Sequence, residues 1–325
     1  ALSGCGAPQP DSARVVTNLG TRLRARDDEG SGVDKSGRRR FALLRAMRPK
    51  QWLKNVLVAV APIAAGTFST PEVWRRVALA FIVFCLISAS VYLVNDVLDA
   101  ENDRQHPVKS RRPVASGDLS VRTAIAAAVV LSFASVGLSL LVTWHLTVIV
   151  LLYATSSLAY SLGVKREPVF DLALVAAGFL LRAIAGGVAA GVPLSEWFLL
   201  VASFGSLFMV SGKRFADVLQ AKAAPEDGWE VVGYSASYLR FVWGLAATAT
   251  IIGYALWAFQ VGTTRGEPGL AQLSVVPFVL AVLRYAVDID RGAAGAPEDV
   301  VLADRWLLVL GLVWFVLFAA ASDVG

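Results

Sequence analysis

The sequence carries little charge. Of its 325 residues only 17% are Asp, Glu, Lys or Arg, against about 25% in ordinary soluble domains, while 56% are hydrophobic and the mean hydropathy is +0.60. A globular core of this length cannot hide that much apolar surface, so lipid is the natural solvent and no separate water-soluble catalytic domain is expected. Cysteine is also nearly missing. Cys5 lies in a polar tail and Cys85 in an apolar run, which excludes a disulfide framework and a cysteine-based metal centre and argues against redox chemistry. No apolar stretch precedes Leu2, Ser3, Gly4 and Cys5, so this lipoprotein-like tetrapeptide is not expected to be a processing site, and no cleavable leader is expected.

What is present is a series of long apolar runs. Residues 1–40 are mostly Ser, Gly, Asp and Arg without apolar periodicity, the composition of a disordered cytoplasmic tail, and residues 41–325 are expected to form one transmembrane catalytic domain. Segments able to cross a ~30 Å hydrocarbon layer as helices occur at 52–68, 77–97, 124–142, 146–162, 169–189, 195–212, 241–260, 273–287 and 306–321. The expected fold class is therefore an all-α polytopic membrane protein of about nine spans.

The net charge of +5 follows the topology. With the N-terminus inside, the cytoplasmic connections hold Arg38, Arg39, Arg40, Arg45, Arg48, Lys50, Lys54, Arg104, Lys109, Arg111, Arg112, Arg122, Lys165, Arg166, Lys213, Arg214, Lys222, Arg240, Arg291 and Arg305, and only Arg75, Arg76 and Arg265 lie outside. Basic residues spread over every inner connection do not make a nucleic-acid-binding module, so no nucleic-acid partner is expected. The outer connections are short and the inner ones long and polar, which places the chemistry on the cytoplasmic face.

The second span runs into NDVLDAENDRQHPVKSRRPVASG. At 100° per helical residue, Asn95, Asp96, Asp99 and Asp103 fall within roughly a 100° arc of one helix end. Three carboxylates on one face repel one another unless a cation joins them. Oxygen-only ligands favour Mg²⁺ bridging to substrate phosphates over zinc. The simpler alternative is a solvated helix end paired to Arg104, Lys109 and Arg111. His106, Lys109, Arg111 and Arg112 supply the mixture of bases that would hold a polyanion beside a metal.

Other polar residues stand near the same face. YSLGVKREPVFD contributes Tyr160, Lys165, Arg166 and Asp171, and SGKRFADVLQ contributes Lys213, Arg214 and Asp217; singly, each basic residue is also an ordinary flank of a span. Arg182 differs, because it sits within an apolar span about 16 Å along the helix from Asp171. A guanidinium there costs at least ~2.5 kcal/mol, so a polar cavity or a carboxylate partner is expected. Ala185, Gly186, Gly187 and Gly191 after it imply a close helix contact or room for a bulky ligand, and such small-residue faces permit a homo-oligomer.

These residues resemble the UbiA superfamily of intramembrane prenyltransferases. Its NDxxDxxxD signature is met by Asn95, Asp96, Asp99 and Asp103, followed by Arg112 and Pro113. The resemblance runs from about Phe41 to the end and implies a UbiA-like bundle with a cytoplasm-facing cavity, a lateral opening to lipid, and Mg²⁺ on Asp96, Asp99 and Asp103. One departure matters: where typical members carry a second aspartate-rich motif, this chain has Lys213 and Arg214 with only Asp217 acidic. Together with AMRPKQWLKN, YSLGVK, LRAIAGGVAAG and LRYAVDID, this pattern is similar to the branch that transfers 5-phosphoribose from 5-phosphoribosyl 1-diphosphate to a polyprenyl (decaprenyl) phosphate. That branch opens the route to the lipid-linked arabinose donor of the cell wall, which implies a protein of the plasma membrane.

The resemblance implies catalytic roles for Asp99, Asp103 and Lys165. It implies substrate contacts from Asn95, Lys54, Lys109, Arg112, Tyr160, Arg182, Lys213 and Arg214, with Lys213 and Arg214 on the 5-phosphate. The alternatives are a prenyltransferase acting on an aromatic acceptor, against which the basic pair argues, and a non-catalytic transporter or lipid-binding protein. The transporter reading lacks a pair of interrupted helices in matching halves of the chain.

Overall fold

The structure, a computed structural model, describes residues 41–67, 70–223, 233–265, 269–295 and 297–323. The tail at 1–40, expected to be disordered, lies outside the described residues. All regular structure among the described residues is helical: α1 (Pro71–Leu98), α2 (Val121–Val142), α3 (Trp144–Leu162), α4 (Phe170–Ala190), α5 (Glu196–Ala223), α6 (Ala236–Arg265), α7 (Leu270–Asp290) and α8 (Arg305–Asp323), with shorter pieces between them.

Helix ends follow local chemistry. Pro71 opens α1, the Ser120 side chain caps α2 by accepting from the Thr123 amide at 3.1 Å, and Gly191, at φ 70, ends α4 in the left-handed conformation that glycine adopts without strain. Within α5 and α6, Ser203, Ser206, Ser211 and Thr250 donate to carbonyls one turn back at 2.6–2.7 Å, which satisfies hydroxyls that lipid would leave unpaired.

Among the described residues, seven helices, α1 to α7, are long and apolar enough to cross a membrane. The expected first span is a composite: an 11-residue 3-10 helix, Pro49–Ala59, continued by the five α-helical residues Val60–Ala64. At about 2.0 and 1.5 Å per residue it extends roughly 30 Å. The apolar part of α8, Arg305–Ala321, is shorter than the other crossings. The expected count of about nine is met when the composite segment and α8 are both included.

Consecutive long helices pack side by side, and α8 returns to touch Val60–Ala64. α4 is the hub, in contact with α1, α3, α5 and the composite segment. One core cluster joins α4 to α5, α6 and α7 through Leu172, Phe208, Phe215, Leu239 and Ile289; a second joins α4 to α1, α3 and the 3-10 helix through Val58, Phe84, Val150 and Ala185.

The glycines after Arg182 serve the close-contact alternative. A Cβ at Gly186 would fall on the Val58 carbonyl, and one at Gly187 would overlap the Leu194 side chain, so the 3-10 helix rests directly on the α4 backbone. Gly186→Ala should therefore destabilise the protein by about 1–3 kcal/mol through overpacking. Thermal unfolding in detergent checks this, and an unchanged transition temperature would refute the close approach.

Candidate active site

α1 holds 28 residues and is about 42 Å long, so a span of ~30 Å leaves polar turns at its ends, Glu72, Arg75 and Arg76 on the first and Asn95 and Asp96 on the last. The chain pauses at Asp99 (φ −90°, ψ 0°) and resumes as the helix Ala100–Gln105, which carries Asp103. Asp96 and Asp103 are buried at 1% and 4% exposure.

The acids meet cations. Arg48 donates to Asp96 Oδ1, Arg112 reaches the same oxygen at 3.6 Å and Asp103 Oδ2 at 2.7 Å, and Lys165 Nζ contacts both oxygens of Asp99 at 2.7 and 3.0 Å. Arg112 thus bridges Asp96 and Asp103. Asp99 is drawn instead to the 3-10 turn Val164–Arg166 between α3 and α4. In this arrangement Asp99 stands apart from the other two, and among the described residues no group of three acidic, His or Cys side chains is gathered as a metal site. The helical wheel places Asp99 on the shared face, but the bend at its own position and the pull of Lys165 turn it aside.

Paired acids are the simpler alternative raised by the sequence, with different partners. Arg104 binds Glu101, and the Lys109–Arg111 turn forms no ion pair with the cluster among the contacts seen. Lys109 and Lys54 are both half-buried, Lys109 on that turn and Lys54 on the 3-10 helix. Asp96 Oδ2 is buried without a hydrogen-bond partner. A buried carboxylate oxygen with no donor, in an oxygen-only set, fits a hard divalent cation such as Mg²⁺.

A second network lies where α3, α4 and α5 meet. Arg214 grips the fully buried Asp171 through two bonds of 2.9 and 2.7 Å, donates to the Tyr160 hydroxyl at 3.0 Å and approaches Asp217 at 3.5 Å. Lys213 is 44% exposed and contacts Asp217 at 3.3 Å. Of the basic pair expected on the 5-phosphate, Arg214 is thus engaged by the protein itself and Lys213 faces outward. Asp171 stands on the first turn of α4, just after Val169, a β-branched residue at φ 71 whose amide donates to the Tyr234 hydroxyl at 2.7 Å. Burial pushes the pKa of that phenol above its ordinary value, which keeps it neutral as an acceptor.

Arg182 sits in a pocket of neutral polar groups, with no carboxylate partner among the described residues. Its Nε donates to Asn55 Oδ1 at 2.7 Å, Nη1 to the Gly178 carbonyl at 2.7 Å, and Nη2 to the Tyr153 hydroxyl at 2.9 Å and Ser88 Oγ at 3.2 Å, with the Tyr153 ring 4.6 Å away. These bonds tie the 3-10 helix, α1 and α3 to α4 through neutral groups. An apolar recess of about 350 Å³ beside Asn55, lined by Val58, Trp74, Val77 and Phe81, lies on the first half of α1. From Ile82 to Asp96 is about 21 Å along the helix, so this recess is not the acidic site.

The sequence reading missed Arg48, Asn55, Ser88 and Tyr153 as site or scaffold residues. Arg48 had a signal, a guanidinium immediately before a proline at the mouth of a span. The other three are single polar residues inside apolar runs, visible only once Arg182 is placed among them.

The chain matches the UbiA prenyltransferase family over residues 55–308. It is 49% identical over 278 residues to the decaprenyl-phosphate phosphoribosyltransferase of Corynebacterium glutamicum, covering 84% of each chain. It is 44% identical over 288 residues to the protein of that name from Mycobacterium tuberculosis, covering 87% of this chain and 95% of the relative. In fold it is similar to a UbiA homologue from Archaeoglobus fulgidus bound to DMAPP and Mg²⁺, with a TM-score of 0.66 at 18% identity over 87% of this chain and 99% of that one. With the acidic helix end, the all-helical bundle and the match over most of its length, the chain is an integral membrane protein and belongs to the UbiA prenyltransferase family.

Proposed function

We propose that this protein transfers 5-phosphoribose from 5-phosphoribosyl 1-diphosphate to a polyprenyl phosphate, decaprenyl phosphate in the relatives' names, with release of diphosphate. The observation that carries this reading is the charge balance of the site. One acidic cluster on α1 is faced by Arg48, Arg112 and Lys165, and the end of α5 adds Lys213, 44% exposed and 3.3 Å from Asp217, beside an Arg214 that Asp171 holds. Such a site suits a donor with phosphate at both ends of its sugar. The names of the relatives at 44–49% identity support the same donor and acceptor.

Asp96 and Asp103, joined by Asp99 once Lys165 turns to the diphosphate, would hold Mg²⁺, which would supply neutralisation of the leaving diphosphate. Lys165, Arg112 and Lys109 bind the diphosphate oxygens and stabilise the charge that gathers on them. Asn95 and Lys54 orient the donor from α1 and the 3-10 helix. Lys213 takes the 5-phosphate, while Arg214, held by Asp171, fixes Tyr160 and the end of α5 beside it. An oxygen of the lipid phosphate forms the new bond to the anomeric carbon. That phosphate is already ionised near neutral pH, so positioning is the main task of the chain. Arg182 acts as the internal tie that holds the 3-10 helix on α4. The basic residues at the acidic end support a site and an N-terminus on the cytoplasmic side of a plasma-membrane protein, where a water-soluble polyanion would reach a lipid acceptor.

Purified protein supplied with labelled 5-phosphoribosyl 1-diphosphate and decaprenyl phosphate should give labelled lipid in the presence of Mg²⁺. Label entering lipid only from a prenyl diphosphate would reject this reading in favour of transfer to an aromatic acceptor.

A further inference from the structure

We infer that Arg48 is a further diphosphate-binding residue whose guanidinium is kept on Asp96 until a divalent cation takes that carboxylate. The inference rests on the proposed donor and adds a binding step to it. Four observations carry it.

Arg48 stands at φ 53, ψ 62, directly before Pro49. Left-handed backbone is unfavourable for a residue with a Cβ, and a following proline pushes it further toward the extended region. The turn is closed by backbone bonds, Arg48 N–H to the Arg45 carbonyl at 3.2 Å and Gln51 N–H to the Arg48 carbonyl at 2.9 Å, and the side chain adds its pairing with Asp96 and a contact with the Tyr92 ring at 5.0 Å. Asp96 is loaded unevenly: Oδ1 receives both Arg48 and Arg112, and buried Oδ2 has no partner. The neighbouring cations have other carboxylates, Arg112 on Asp103 and Lys165 on Asp99, whereas Asp96 is the one acid that Arg48 touches among the described residues. Finally, Arg48 is 28% exposed, and a recess of about 490 Å³ lined by Phe41, Ala42, Leu44, Arg45, Pro49 and Asp118 borders its segment, which leaves room for its side chain to turn.

A divalent ion and a guanidinium compete for the same carboxylate. When the ion binds, Arg48 loses its carboxylate partner, its side chain can turn from Asp96, and its fork is available to the anion that arrives with the metal. A planar guanidinium binds phosphate oxygens in pairs. Arg48 therefore opposes metal binding to the empty site and favours donor binding to the loaded one.

These opposite signs provide the test. With Mn²⁺ as the probe, followed by electron paramagnetic resonance on the full chain in detergent, R48Q should bind the ion at least threefold more tightly than wild type without donor. With Mn²⁺ saturating, it should bind 5-phosphoribosyl 1-diphosphate at least tenfold more weakly. Arg75→Gln, an exposed residue at the far end of α1, should change neither value. Unchanged Mn²⁺ affinity, or a loss of both affinities together as a merely structural role predicts, would overturn the inference. If R48Q does not fold, R48K decides: it keeps the charge but not the fork, so Mn²⁺ affinity should stay at the wild-type value while donor affinity falls, and unchanged donor affinity overturns the proposal. Should wild type bind a prenyl diphosphate in place of the sugar donor, with R48Q weakening it, the proposed donor fails and the role of Arg48 stands.

Discussion

Asp99→Asn should lower phosphoribosyl transfer by roughly 10²–10³-fold, the usual cost of removing one charge-stabilising group from a polar transition state, while leaving the fold intact. Asp99 carries the least buried carboxylate of the signature: its side chain is 20% exposed and its ionic partner is Lys165. Asparagine keeps the shape and loses the charge, and its amide oxygen remains an acceptor for Lys165. The pair is part-buried, with Asp99 20% exposed, so the stability change should be about 1–2 kcal/mol, less than for a fully buried pair. Lys165→Gln should produce a loss of similar size, because the pair serves the same diphosphate. The double variant should fall little below the worse single one, as expected for residues that act as a unit. Initial rates with labelled donor, together with thermal unfolding of each variant, check both parts. Wild-type turnover in Asp99→Asn would remove the acidic cluster from the mechanism.

Asp171→Ala should be as damaging, by a different route. Asp171 is fully buried and receives both bonds of the Arg214 fork, so its removal strands a guanidinium that is only 24% exposed. Breaking one side of a buried pair costs roughly 3–5 kcal/mol. The double variant Asp171→Leu with Arg214→Met should recover most of that loss, since a buried ion pair can be exchanged for packed apolar groups at little net cost. Denaturation in detergent separates the roles of Arg214. A direct phosphate ligand would show a raised KM for the donor in Arg214→Gln with unchanged stability, whereas the observed geometry predicts a large loss of stability, with the KM effect following from a displaced Tyr160 and Lys213.

Both predictions turn on residues that were visible in the sequence but whose partners were not. Asp99 was legible from its spacing in NDxxDxxxD, yet spacing assumes an unbroken helix, and the bend at Asp99 together with Lys165, 66 positions away, redirected it. Arg182 was legible as a costly charge in an apolar span. Its neutral partners come from three other elements, at separations of 29 to 127 residues, which no local pattern encodes. Arg214 read as a free cation because its acid, Asp171, stands at the start of a different helix, 43 positions earlier.

The sequence by itself determined the solvent, the class of fold, the helix end that bears the acids and the family, because these depend on composition, on apolar run length and on a motif within one helix turn or two. Only the tertiary structure decided which cation sits on which carboxylate, that Gly186 admits the 3-10 helix rather than a ligand, and that Arg48 reaches Asp96. The physical reason is range: hydrophobic length and helical period act between near neighbours along the chain, whereas ion pairs and close backbone contacts in a bundle join residues that only packing brings together.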